Sequence, residues 1–126
     1  NSIAQKAAVE GLNGSQETVD IMKAEFDSRR VYMYNRINNM PYASAIEPLG
    51  AFYLFVDMSQ ILEKEYKGQK IGNSNELAKI LIEEYKVAVI PCEDFGFPDH
   101  IRLSYAISMK QIEKGLNRIE NFLKEL

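Results

Sequence analysis

The apolar residues of this chain change period along its length, and that alternation limits the folds open to it more than any other feature. Val19, Met22, Phe26, Met33, Ile37 and Met40 are spaced by 3, 4, 7, 4 and 3, which is the repeat of one helix face. Pro41 ends the run, because proline lacks the N–H that the next helical hydrogen bond needs. The pattern predicts a helix of about 25 residues, roughly 37 Å long at 1.5 Å per residue. The period then drops to 2. Ala51-Phe52-Tyr53-Leu54-Phe55-Val56 reads as a strand apolar on both faces, as a central strand is. Glu47-Pro48-Leu49-Gly50 has turn chemistry and, with a short strand near Ser44 to Ile46, predicts a hairpin. Val87-Ala88-Val89-Ile90, stopped by Pro91, reads as a short buried strand, and His100-Ile101-Arg102-Leu103-Ser104-Tyr105-Ala106 as another.

Caps divide the remainder. Ser2 and Gln5 form a capping box for a short first helix carrying Ile3, Ala7 and Leu12. Gly14 suits the left-handed position that ends such a helix, and Ser15 can cap the long one. Helical spacing recurs from Met58 to about Tyr66, followed by a polar loop from Lys67 to Ser74. Asn73 and Glu76 cap a helix with Leu77, Ile80, Leu81 and Tyr85, and Ser108 and Gln111 cap a last one with Ile112, Leu116, Ile119, Leu123 and Leu126. The order α, α, β, β, α, α, β, β, α predicts an α+β fold: a small mixed or mainly antiparallel sheet of three to four strands, packed by helices, with one long helix near the N-terminus and another at the C-terminus. No linker, repeat or low-complexity tract breaks the 126 residues, so 1–126 reads as one domain.

Composition removes several function classes. One cysteine, Cys92, and one histidine, His100, exclude an intrachain disulfide and leave too few ligands for structural zinc, so packing must hold the fold. A net charge of −3 lacks the basic excess of a dedicated nucleic-acid binder. No stretch approaches the roughly 20 uncharged apolar residues of a membrane helix, and no basic region precedes an apolar run as in a secretory signal. A cytoplasmic protein with no membrane or nucleic-acid partner is expected. Glycine-rich phosphate loops, CxxC, HExxH and Gly-x-Ser-x-Gly are absent from the sequence.

Arg102 is the most unusual residue. Period-2 alternation puts Ile101, Leu103 and Tyr105 on one face and His100, Arg102, Ser104 and Ala106 on the other. A guanidinium held by a strand is a planar, permanent charge suited to two-point binding of a carboxylate or phosphate. It is equally suited to an ion pair with an Asp or Glu at a sheet margin. The loop Pro91 to Asp99, with two prolines and a glycine, is of the kind that borders sites. Its Glu93 and Asp94 would act as bases only if desolvated. Cys92 has no candidate base but His100, and both read as structural residues. Arg29, Arg30 and Arg36 read as a solvated helix face without function, and the aromatic residues Tyr32, Tyr34, Phe52, Tyr53 and Phe55 as core and core edge.

Three segments together carry a resemblance. Gly50-Ala51-Phe52-Tyr53-Leu54-Phe55, Val87-Ala88-Val89-Ile90-Pro91 followed by Phe95-Gly96, and His100-Ile101-Arg102-Leu103-Ser104-Tyr105-Ala106 are similar, in order and spacing, to the C-terminal small domain of class I/II, fold-type I pyridoxal-phosphate aminotransferases, most of all the aspartate aminotransferase group. Asn1-Ser2-Ile3-Ala4-Gln5-Lys6-Ala7-Ala8 resembles the segment leading from the large domain into the small one. The resemblance implies that Arg102 binds the substrate α-carboxylate. It also implies a homodimeric parent that exchanges an amino group between an amino acid, aspartate-like by default, and a 2-oxo acid.

The same resemblance places the Schiff-base lysine and every other pyridoxal phosphate contact in the large domain, upstream of Asn1. The chain then reads as a fragment without catalytic, cofactor-binding or metal-binding residues, inactive alone. Lys86 and Cys92 stand where relatives carry small residues, often glycine, which puts loop geometry in question there. The rival reading is a stand-alone α+β module that binds a small carboxylate or a protein partner without catalysis.

Overall fold

Short polar side chains start the helices, because the first N–H groups of a helix have no partner within it. In the computed structural model, which describes residues 1–126, the Asn1 Oδ1 accepts from the N–H of Ile3 at 3.0 Å and of Ala4 at 3.4 Å, opening α1 (Ser2–Asn13). Asn1 therefore takes the cap that Ser2 was expected to fill. Gly14 is extended, with φ −77° and ψ −179°, and not left-handed. A glycine fits there for another reason: a Cβ would lie 2.6 Å from the Glu10 carbonyl oxygen. The long helix is α2 (Glu17–Asn38), 22 residues and roughly 33 Å, with the Ser15 hydroxyl accepting from the Glu17 N–H at 3.3 Å. Its apolar face divides. Met33, Ile37 and, just beyond, Met40 are buried, whereas Val19 and Met22 are half exposed and α1 buries nothing.

Four antiparallel strands, β1 (Ser44–Ala45), β2 (Tyr53–Asp57), β5 (Ile90–Pro91) and β6 (His100–Ser104), form a sheet in the order β1-β2-β6-β5. The α+β class and the central place of β2 are as the sequence predicts. In the turn before β2 the left-handed residue is Ala51, at φ +60°, and not Gly50. The Tyr105 hydroxyl donates to the Ala51 carbonyl at 2.8 Å and holds it there.

Val87 to Ile90 is not the buried strand its composition suggests. The Val87 N–H turns back to the Leu81 carbonyl at 3.0 Å, and only Ile90 and Pro91 pair with β6, leaving Ile90 half exposed.

The helix expected from Met58 to Tyr66 is absent. Asp57 Oδ1 accepts from the Ser59 N–H at 2.7 Å, which favours one tight turn, Ser59–Ile61. Glu63, left-handed at φ +66°, then ends any helical path. A small hairpin follows, β3 (Glu65–Tyr66) and β4 (Gln69–Lys70), turned by Lys67 and Gly68 at φ +50° and +81°, the signs a two-residue hairpin turn needs. The expected polar loop thus contains β4.

α3 (Ser74–Glu83) and α4 (Met109–Lys124) begin at the predicted caps. Asn73 Oδ1 accepts from the Glu76 N–H at 2.9 Å, and Ser108 Oγ from the Gln111 N–H at 3.4 Å. Leu77 and Leu81 of α3 and Ile112, Leu116, Ile119, Phe122 and Leu123 of α4 join Leu54, Val56, Ile101 and Leu103 in one core. Three α2 arginines are pins and not a free solvated face. Arg29 donates to the Ile107 carbonyl, Arg30 to Glu47, and Arg36 to Asn117 and Glu120, each within 2.9 Å. No helix is long and apolar enough to cross a membrane.

Candidate functional site

Strand alternation leaves one face of the sheet to the core and aims the other outward. Tyr53, Phe55 and Asp57 of β2 lie opposite Ser104, Arg102 and His100 of β6 on that outer face. Arg102 sits at its centre, half buried. Its guanidinium carbon is 4.6 Å from the centre of the Phe95 ring and 5.0 Å from that of Tyr53, close enough for cation–π attraction.

No carboxylate pairs with Arg102. Arg29, Arg30, Arg36 and Arg118 each donate to a partner in the molecule, which leaves Arg102 as the one arginine whose fork is unspent. The sheet-margin ion pair that the sequence also allowed is not formed. The fork borders a cleft lined by Phe52, Tyr53, Ile90 and Ser104. Five N–H donors in one plane beside apolar walls can grip a carboxylate at two points.

The loop beyond β5 is built on one hydroxyl. Ser74, the single buried polar side chain, accepts through Oγ from the N–H groups of Cys92 and Glu93, both at 3.1 Å. The Ser74 N–H donates to the Pro98 carbonyl at 2.6 Å. Glu93 accepts from the side-chain amides of Asn73 and Asn75, so its carboxylate is a structural acceptor. Residues Glu93–Phe95 form a tight turn ended by Gly96 at φ +86°, a conformation that favours glycine. This places the exposed Phe95 ring over Arg102.

Cys92 is fully buried. Burial pushes its thiol up, the Arg102 charge opposing by a smaller amount, which disfavours the thiolate a nucleophile would need. Its φ is −110°, so the departure from glycine there strains nothing, whereas Lys86 is left-handed at φ +56°.

His100 Nδ1 lies 2.6 Å from Asp99 Oδ1, and its ring stacks on Phe55 at 4.4 Å. Asp57 completes a trio whose ligand atoms lie within 4.8 Å of one another. Burial raises the Asp57 carboxyl pKa, but Ser59, through its N–H and hydroxyl, and the His100 charge outweigh it and hold the group below its ordinary value. Each member thus has a partner within the protein.

The structure adds Tyr53, Phe95 and Ser74 to the residue the sequence singled out. Tyr53 is opposite Ser104 in the register, which sequence reading could reach only by pairing the two strands. Ser74 adjoins the Asn73 cap and carries no signal of its own.

The family described as aminotransferase class I and II matches residues 1–119. An aspartate aminotransferase of Bacillus sp. (strain YM-2) is 39% identical over 121 residues, covering 96% of this chain and 30% of that protein. A probable aspartate/prephenate aminotransferase of Rickettsia felis is 41% identical over 120 residues, covering 94% of this chain and 29% of the relative. The crystal structure of an aspartate aminotransferase from Rhizobium meliloti superposes with a TM-score of 0.94 at 32% identity, over all of this chain and 32% of that one. The chain therefore spans about 30% of the length of the relatives it matches.

Proposed function

Because the chain belongs to the class I and II aminotransferase family, we propose that residues 1–126 are the small C-terminal domain of a longer, pyridoxal-phosphate-dependent aminotransferase, and that Arg102 anchors the α-carboxylate of its substrate. The observation that carries this reading is the unspent guanidinium on a rigid strand, flanked by Phe95 and Tyr53 and open to a cleft. A substrate gripped at two points by a planar fork loses most of its rotational freedom, and orientation of this kind lowers the barrier to a later proton transfer.

When bound, pyridoxal phosphate supplies the electron sink for moving an amino group. The residues around Arg102 do not suit it: the cleft offers neither a lysine nor a carboxylate. The cofactor would be held by residues outside this chain, and the chain alone is expected to be inactive. The proposed substrates are an aspartate-like amino acid and a 2-oxo acid, after the relatives' names. The proposed parent is cytoplasmic and homodimeric, this domain packing on its own large domain.

Reading the coding frame upstream of Asn1 tests the enzyme reading against a stand-alone carboxylate-binding or interaction module. An open frame supplying about 70% of the relatives' length, with a Ser-x-x-Lys-like segment, is expected. A start codon immediately before Asn1 would overturn it.

A further inference from the structure

Phe95 is an exposed aromatic residue on a loop, a position where a large apolar ring gains little from burial, yet three independent restraints converge on it. The Ser74 hydroxyl, almost wholly buried, takes up the N–H groups of Cys92 and Glu93. The Cys92 carbonyl accepts from both Phe95 and Phe97, each at 3.0 Å. The Glu93 carboxylate is bound by the amides of Asn73 and Asn75. The loop is thereby fastened to the first turn of α3, and its outermost ring lies 4.6 Å from the Arg102 guanidinium carbon. Tyr53 contributes the second ring, at 5.0 Å. A guanidinium with no ion pair keeps its rotamer freedom unless something else restricts it, and here these two rings lie on the guanidinium itself, beyond the flanking Phe55 and Ile90 that stand opposite Arg102 on the neighbouring strands.

We infer that Phe95 and Ser74 are positioning residues for Arg102: the Ser74 hydroxyl pins the loop, the loop holds Phe95 on the guanidinium, and the fork is thereby presented to a carboxylate in one plane. The inference rests on the reading of Arg102 as a carboxylate anchor. It assigns part of the substrate affinity to α3, an element that contributes no group to the cleft itself. Cation–π attraction at an exposed site is worth about 0.5–1 kcal/mol, so loss of the ring should weaken carboxylate binding roughly two- to fivefold.

The test uses the complete, cofactor-loaded polypeptide and measures the binding of added 2-oxoglutarate by isothermal titration calorimetry. Wild type is expected to titrate, Arg102→Gln to show no measurable binding, and Phe95→Leu and Ser74→Ala to bind two- to fivefold more weakly. Ser74→Thr, which keeps the hydroxyl, is expected to bind as wild type does, and the urea midpoint of each variant separates weaker binding from lost stability. Phe95→Leu alters an exposed side chain and so remains informative even if Ser74→Ala fails to fold. If Arg102→Gln abolishes binding while Phe95→Leu binds as tightly as wild type, the positioning inference falls and the anchor stands. If wild type does not titrate, or Arg102→Gln binds equally well, the anchor itself falls.

Discussion

At the scale of single residues, two departures from small side chains have opposite consequences. Cys92 has an ordinary negative φ and is fully buried, so it behaves as a small apolar residue inside the loop. Lys86 is held at φ +56°, where its Cβ crowds the following carbonyl at a cost of about 1–2 kcal/mol. Lys86→Gly relieves that crowding and regains more than the added freedom of the unfolded chain removes. Thermal melting followed by circular dichroism should show the variant more stable by roughly 0.5–1 kcal/mol. Arg102 was legible as unusual from alternation alone, because strand period fixed its face. Its lack of an ion pair was not, since that depends on where every acidic residue of the fold comes to lie.

At the scale of elements, local chemistry decided what could be read. The caps of α3 and α4 were visible because a side chain and an N–H three residues apart need no tertiary information. Asn73→Ala removes the acceptor of the Glu76 N–H. It should lower stability by about 1 kcal/mol, measured as a shift in the urea midpoint with unchanged slope.

The stretch from Met58 to Tyr66 misled for a related reason. Its apolar spacing fits a helix, but the Asp57 side chain captures the Ser59 N–H and Lys67-Gly68 supplies a hairpin turn. Turn chemistry thus overrode period. Val87 to Ile90 shows the converse limit: β-branched composition marks a strand, yet the backbone of Val87 is taken by the end of α3.

At the scale of the whole molecule, the apolar pattern exceeds what the core uses. α1 and the first half of α2 carry Ile3, Leu12, Ile21 and Met22 exposed, and the outer sheet face carries Phe52, Phe95 and Phe97 at about half exposure. Sequence period located α2, α3 and α4 but could not say which of their apolar residues would be covered, because that depends on what packs against each face. On the proposed reading, the outer face is part of a substrate site shared with a larger polypeptide, and Arg102 is its anchoring charge.

The most direct measurement of that claim is the single-turnover rate of amino-group transfer in the complete, cofactor-loaded polypeptide, comparing Arg102→Gln with wild type. Loss of a two-point charged contact should reduce the second-order rate constant for the amino acid by about a hundredfold or more, with the cofactor absorbance before substrate addition unchanged. A rate constant within about threefold of wild type, less than a single charged hydrogen bond is worth, would contradict the account.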